Sequence, residues 1–80
     1  MARLTGTVSR GMSPADGAYV QLQNLGGDFQ AEVRTGPDGR FVLYPVPGRW
    51  RLISFAPGSQ RTDRVVDVGV SDVEVELILA

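Results

Sequence analysis

The stretch TGPDGRFVLYPVPGRW, Thr35 to Trp50, places two tight turns around one short apolar run, and its reading decides how the rest of the chain is laid out. In Gly36-Pro37-Asp38-Gly39, Pro sits where φ near −65° is wanted, Asp where the bridge region is wanted, and Gly where φ turns positive. That order predicts a type I turn closed by a left-handed residue. Val46-Pro47-Gly48-Arg49 has Pro then Gly at its centre, which predicts a type II turn. Between the turns the chain must be extended. Phe41 and Leu43 alternate with Val42 and Tyr44, one pair facing a core and the other facing out. Pro45 lacks an N–H and biases Tyr44 toward the β region, so this strand ends there or lies at an edge.

Outward from this stretch the chain keeps the same rhythm. Arg3 to Ser9 alternates Leu4, Gly6 and Val8 with Thr5, Thr7 and Ser9, a half-buried first strand. Arg10 to Gly17 is a loop by its Pro, Asp and Gly content, with Met12 either tucked beneath it or exposed. Ala18, Val20 and Leu22 point inward, with Tyr19, Gln21 and Gln23 outward. Gly26-Gly27-Asp28 turns the chain, with Leu25 in position to cover the end of the structure. From Phe29 to Arg34 the inward parity is Phe29, Ala31 and Val33. Arg49 to Phe55 puts Trp50 and Leu52 inward, and a third turn follows at Ala56-Pro57-Gly58-Ser59. Thr62 to Val68 breaks strict alternation at Val65, Val66 and Val68, which predicts a bulge or a frayed start. Asp72 to Leu79 is the cleanest strand, with Val73, Val75, Leu77 and Leu79 facing in.

Seven short strands separated by turns predict an all-β fold, a seven-stranded antiparallel Greek-key sandwich, with a barrel as the runner-up. Ten Gly and five Pro in 80 residues interrupt the chain too often for helices of ordinary length. No repeat or linker is visible, so residues 1–80 read as a single domain. A domain this small holds a modest core, and its stability should be on the order of 5 kcal/mol.

Composition narrows the chemistry. The chain has no Cys and no His, and all eight of its basic residues are Arg. Disulfides and thiolate chemistry are excluded, as are the commonest metal ligand and the commonest general base at neutral pH. Ser9, Ser13, Ser54, Ser59 and Ser71 have neither a His nor a Lys to activate them. A net charge of −1 gives no electrostatic case for nucleic acid or an anionic membrane. No run approaches the roughly 18 apolar residues of a membrane helix. A soluble cytoplasmic protein with no cofactor is the expectation.

The turn aspartates Asp16, Asp28, Asp38, Asp63, Asp67 and Asp72 could in principle ligate a hard cation. They show no clustered spacing, and the favoured reading is structural. Arg49 and Arg51 flank Trp50 and with Arg34 could cradle an anion, but a solvated face paired with Glu32 is favoured. Trp50 as a glycan-stacking platform is weighed against its inward parity, which makes it core. The outer faces are the stronger signal. Tyr19, Ile53 and Phe55 have outward parity, and antiparallel pairing of their strands would bring Tyr19 beside Phe55. Val42 and Tyr44 are outward as well. These five form a candidate interface, with Glu32, Arg34 and Arg51 as its polar rim.

The residues also carry a family likeness. Gly6 and Val8, Gly17-Ala18-Tyr19-Val20, Thr35 through Phe41, Pro47 through Leu52 and Ala56-Pro57-Gly58 together resemble carboxypeptidase regulatory-like domains across nearly the whole chain. The resemblance implies a transthyretin-like (prealbumin-like) sandwich. Its first, fourth and seventh predicted strands would share one sheet, and the second, third, fifth and sixth the other. More narrowly, Gly27 to Val33, Phe41 and Gly48 to Leu52 resemble a small bacterial family of unknown function often called SseC-like. Its members are commonly encoded beside rhodanese-type sulfurtransferases and usually begin with a short Cys-containing leader, which these 80 residues lack. The resemblance implies a binding or scaffolding role without catalytic residues. The expected function is therefore a non-enzymatic protein-interaction or scaffolding module, self-associating or docking on an enzyme such as a sulfurtransferase. The alternative is a sandwich that binds a glycan or small anion.

Overall fold

The computed structural model describes residues 2–79. Within them the chain forms β1 (Leu4–Arg10), β2 (Ser13–Pro14), β3 (Tyr19–Asn24), β4 (Phe29–Arg34), β5 (Arg40–Leu43), β6 (Gly48–Phe55), β7 (Thr62–Val68) and β8 (Val73–Leu79), with no helix. Seven of these are the expected strands; the eighth, β2, is a two-residue pairing inside the predicted loop, Ser9 opposite Pro14. One sheet places β1 between β5 and β8, with β2 beside the end of β1; the other runs β4-β3-β6-β7. Strand pairs are antiparallel except β1 and β8, which run parallel from Leu4 opposite Val73 to Arg10 opposite Leu79. A parallel pair needs a long crossover, and the whole second sheet supplies it. Alternation alone carries no information on that point.

The turn at Gly36 to Gly39 has the expected geometry. The Gly39 N–H donates to the Gly36 carbonyl at 2.9 Å and the Gly36 N–H to Arg40 at 3.1 Å, with Gly39 at φ +76°. Asp38 Oδ1 accepts the Arg40 N–H at 3.0 Å, which fixes the exit. The turn is also a hub: the Gly39 carbonyl accepts the Val8 N–H at 2.8 Å, and the Val8 carbonyl accepts the Ala15 N–H at 2.8 Å. Thr35, buried, adds a second tie, taking the Ala18 N–H on its hydroxyl at 2.9 Å and donating that hydroxyl to the Ala15 carbonyl. The loop from Gly11 to Gly17 is thereby sewn to the central stretch, while Met12 points fully into solvent.

The second turn differs from expectation. Gly48 has φ +156°, outside type II geometry, and the Val46 carbonyl accepts the indole N–H of Trp50 at 2.9 Å. A side chain thus does what a backbone bond was expected to do. Trp50 keeps its inward parity, opposite Val66 and Asn24, yet it sits at the sandwich end, half-buried against the core. We expect Trp50→Ala to cost about 2 kcal/mol, below the usual 3–5 for a fully buried aromatic. That is a melting-temperature loss of roughly 10 °C for a domain this size; an unfolded variant would place the ring in the core proper.

The core between the sheets is built on Leu4, Val8, Val20, Leu52 and Leu77, with Phe41, Leu43, Val66, Val68, Val75 and Leu79 around them. Complete burial of each such side chain stabilises by about 1.5–3 kcal/mol. β7 pairs with β6 in unbroken register, burying Val66 and Val68 and leaving Val65 exposed, so the expected bulge is not in β7. It lies between Leu22 and Gln23, where Gln23 pairs with Phe29. The slip gives Phe29 the outward parity of Gln23 and leaves it 59% exposed, reversing the expected inward placement. Leu25 is likewise exposed and does not cap the sandwich.

On one flank Thr62 Oγ1 and an Arg64 guanidinium N–H donate to the Ile78 and Glu76 carbonyls at 3.0 and 2.8 Å, occupying the outer edge of β8. Arg3 bonds Asp72 through backbone N–H (2.9 Å) and side chain, and the backbone bond first, then the guanidinium, holds that carboxyl below the usual range. Arg49 likewise lowers Asp67 through a 2.7 Å hydrogen bond. Both carboxylates favour the fold above the ordinary carboxylate pKa, and that contribution fades as pH falls through their lowered values.

Candidate functional site

The outer face of the β4-β3-β6-β7 sheet gathers most of the residues singled out in the sequence. Register puts Tyr19 between Arg34 and Phe55, and Gln21 between Glu32 and Ile53, while Gln23 stands between Phe29 and Arg51. Tyr19 and Phe55 stack with ring centroids 5.3 Å apart and planes at 19°. The Arg34 guanidinium lies 5.1 Å from the Tyr19 centroid and reaches the Gly17 carbonyl at 3.4 Å. Three residues from three strands therefore form one stacked column, Arg34 on Tyr19 on Phe55. Offset stacking and cation–π contact each add about 0.5–1.5 kcal/mol beyond area burial, so the rings are held in place before any contact.

Ile53 has the expected parity but not the expected exposure. It is 4% exposed, flanked by Gln21 and Asp63 on the adjacent strands, and so is not contact surface. Val42 and Tyr44 are exposed, but β5 belongs to the other sheet, so they lie on the opposite face and do not extend this cluster. The five candidate interface residues thus divide into the Tyr19–Phe55 pair, the buried Ile53, and a separate outlying pair.

The polar residues also settle differently. Glu32 Oε2 accepts the Gln21 amide at 2.8 Å and pairs with no arginine among the described residues. Arg51 stands 3.6 Å from Asp63, between Gln23 and Val65, within the face and not at its margin. Arg49 pairs with Asp67. The three-arginine cradle is therefore not assembled, since Arg34, Arg49 and Arg51 each have separate partners. Asp28 closes its turn on Asn24 at 2.9 and 3.1 Å, and Asp38 caps Arg40.

Beside Phe55 the β6–β7 turn opens a hollow of about 350 Å³ lined by Gln21, Phe55, Ala56, Ser59 and Arg61. The turn has the expected form, with Ser59 N–H to Ala56 carbonyl at 3.1 Å and Gly58 at φ +78°. Arg10 holds its Pro57 carbonyl at 3.2 Å. The Ser59 hydroxyl is buried without a hydrogen-bond partner. The sequence places Ser59 in a turn and Arg61 near the start of the next strand, with no sign that the two line a hollow beside Phe55. A long-range tie reaches the turn from Arg10, 47 residues earlier.

A two-sheet sandwich in this strand order is a transthyretin-like domain. A structure of 5-hydroxyisourate hydrolase from Klebsiella pneumoniae matches with TM-score 0.72 at 19% identity, over 99% of this chain and 92% of that one. A DUF3823 family protein from Parabacteroides merdae matches with TM-score 0.73 at 18% identity, over 98% of this chain and 45% of that one. This chain thus spans less than half of the latter, and likeness at such identity shows the fold alone. The chain belongs to the family described as protein of unknown function DUF1416, whose model matches residues 1–78. A Mycolicibacterium smegmatis protein described as uncharacterized is 32% identical over 77 residues, covering 92% of this chain and 86% of that protein.

Proposed function

We propose that the chain is a non-enzymatic protein-interaction module that docks a protein partner on the outer face of the β4-β3-β6-β7 sheet. The observation that carries this reading is the preformed column of Arg34, Tyr19 and Phe55 beside an open hollow. Rigid aromatics bordered by polar groups are what interface anchors require, because they present area at low entropic cost. The lack of His, Cys and Lys supports a role without catalysis, even though the same fold carries an enzyme in Klebsiella pneumoniae. The finer likeness to SseC-like proteins supports a rhodanese-type sulfurtransferase as the partner, and a chain without Cys fits a cytoplasmic setting. Residues 1–80 act in this reading as one module.

A second reading is favoured by one feature, the unpartnered Ser59 hydroxyl beside Arg61 in the hollow, which would suit a small anion. Titration calorimetry with a purified sulfurtransferase from the same host separates the two. Phe55→Ser should lower the melting temperature by roughly 5–10 °C while leaving the chain folded, and weaken protein binding about tenfold or more, the cost of losing an aromatic anchor. Unchanged binding by a folded Phe55→Ser would sink the docking face. Weakened sulfate binding without any protein binding would favour the anion reading.

A further inference from the structure

The open edge of β4 has a property that exposed edges are usually built to avoid. Ala18 and Thr35 bond each other through the Thr35 N–H (2.9 Å) and hydroxyl (2.9 Å). Hydrogen-bonded pairs in an antiparallel ladder alternate, so the next ones are Val20 with Val33 and Leu22 with Ala31. The backbone N–H and C=O groups of Glu32 and Arg34 therefore point away from β3, toward the open edge. Both side chains are exposed. Nothing among the described residues pairs with this side of β4, whereas the outer edge of β8 is occupied by Thr62 and Arg64.

We infer that β4 is a self-complementary edge on which a second copy of this chain docks antiparallel, with Val33 on the two-fold axis. Bonding requires that outward-pointing residues meet outward-pointing residues, which leaves few symmetric registers. An axis at Glu32 sets Glu32 against its own copy, and an axis at Arg34 sets Arg34 against its own copy, both repulsive. An axis at Ala31 runs the pairing into the bulge at Phe29 and Gln30. An axis at Val33 uses the straight segment from Ala31 to Thr35 and places Glu32 opposite the second copy's Arg34 twice. Glu32 has one oxygen engaged by Gln21 and the other free for this contact. Edges guarded against pairing carry like charges or inward charges; this one carries opposite charges spaced to match when the strand is reversed.

The product is an eight-stranded continuous sheet. Its axis is perpendicular to the sheet, so the two Tyr19–Phe55 columns face the same side and the module becomes bivalent toward a partner. The interface is small, with an expected dissociation constant on the order of 100 μM.

Sedimentation velocity of the full chain from about 10 μM to about 1 mM tests it. Wild type should pass from monomer to dimer across that range. Glu32→Arg gathers four positive charges at the edge, two from each copy, and should raise the dissociation constant about tenfold or more. The exchange Glu32→Arg with Arg34→Glu restores complementarity and should restore the dimer. Arg34→Pro removes an outward N–H that β3 does not use, and should abolish pairing in a chain that melts as a folded domain. A wild type that is monomeric at 1 mM, a dimer that survives Arg34→Pro, or a folded charge exchange that stays monomeric overturns the inference. If Glu32→Arg fails to fold, the exchange and the proline variant decide.

Discussion

Gly39→Val should leave the chain only marginally folded at 25 °C, a loss of about 4 kcal/mol or more against a total on the order of 5. Two independent costs add. Gly39 lies at φ +76°, where a β-branched residue is strained by about 1–3 kcal/mol. A Cβ there would also run into the Val8 carbonyl oxygen and come within 3.3 Å of the Ala15 backbone nitrogen. Both are backbone atoms held by the bonds that join β1, β2 and the turn, so neither can step aside without breaking the ladder. Asp38→Asn, one residue away, should cost less than about 0.5 kcal/mol, because an amide oxygen can accept the Arg40 N–H as the carboxylate does. Urea melts of the two variants check this; equal, small losses would mean that the turn relaxes freely.

The second large effect is expected at Gly6, on a strand and not in a turn. A Cβ at Gly6 would stand 2.5 Å from the Val75 carbonyl oxygen and 2.7 Å from Cζ of Phe41. The Phe41 ring fills the space that a side chain on β1 would use, which lets one large aromatic from β5 reach the middle of the core. Gly6→Ala should therefore cost about 3 kcal/mol by overpacking. Adding Phe41→Leu removes the ring contact but not the Val75 oxygen, which is backbone of the paired strand β8. The double variant should be no more stable than Gly6→Ala alone. A double variant restored toward wild type would show that the ring, not the backbone, sets the limit.

These two glycines mark how far the sequence could be read. Gly39 was legible, because Pro, Asp and Gly in that order have few turns to form. Gly6 read only as an inward position, since its need for emptiness is created by Phe41, 35 residues later. Alternation located seven strands within a residue or so, and it put Tyr19 beside Phe55 correctly because period and antiparallel register suffice for that. It failed at Phe29, where a one-residue slip opposite Gln23 reverses the face, and at Ile53, where parity was right but the sheet's own side chains cover the position. It was silent on the sheet to which Val42 and Tyr44 belong. The irregular Val65-Val66 run reads as a bulge or a frayed start, although Val65 simply faces out, while the real slip leaves no apolar signature. The hollow at Ser59 and Arg61 is invisible in the sequence because Gln21, on a strand far earlier in the chain, completes its lining.

The most direct test of the docking face is a titration of the 15N-labelled chain with the purified sulfurtransferase, followed by amide shifts. The account predicts perturbations concentrated at Tyr19, Gln21, Arg34, Phe55, Ser59 and Arg61, with Glu74, Glu76 and Val42 on the opposite sheet unmoved. Shifts confined to the β5-β1-β8 face, or none at saturating partner, would contradict it.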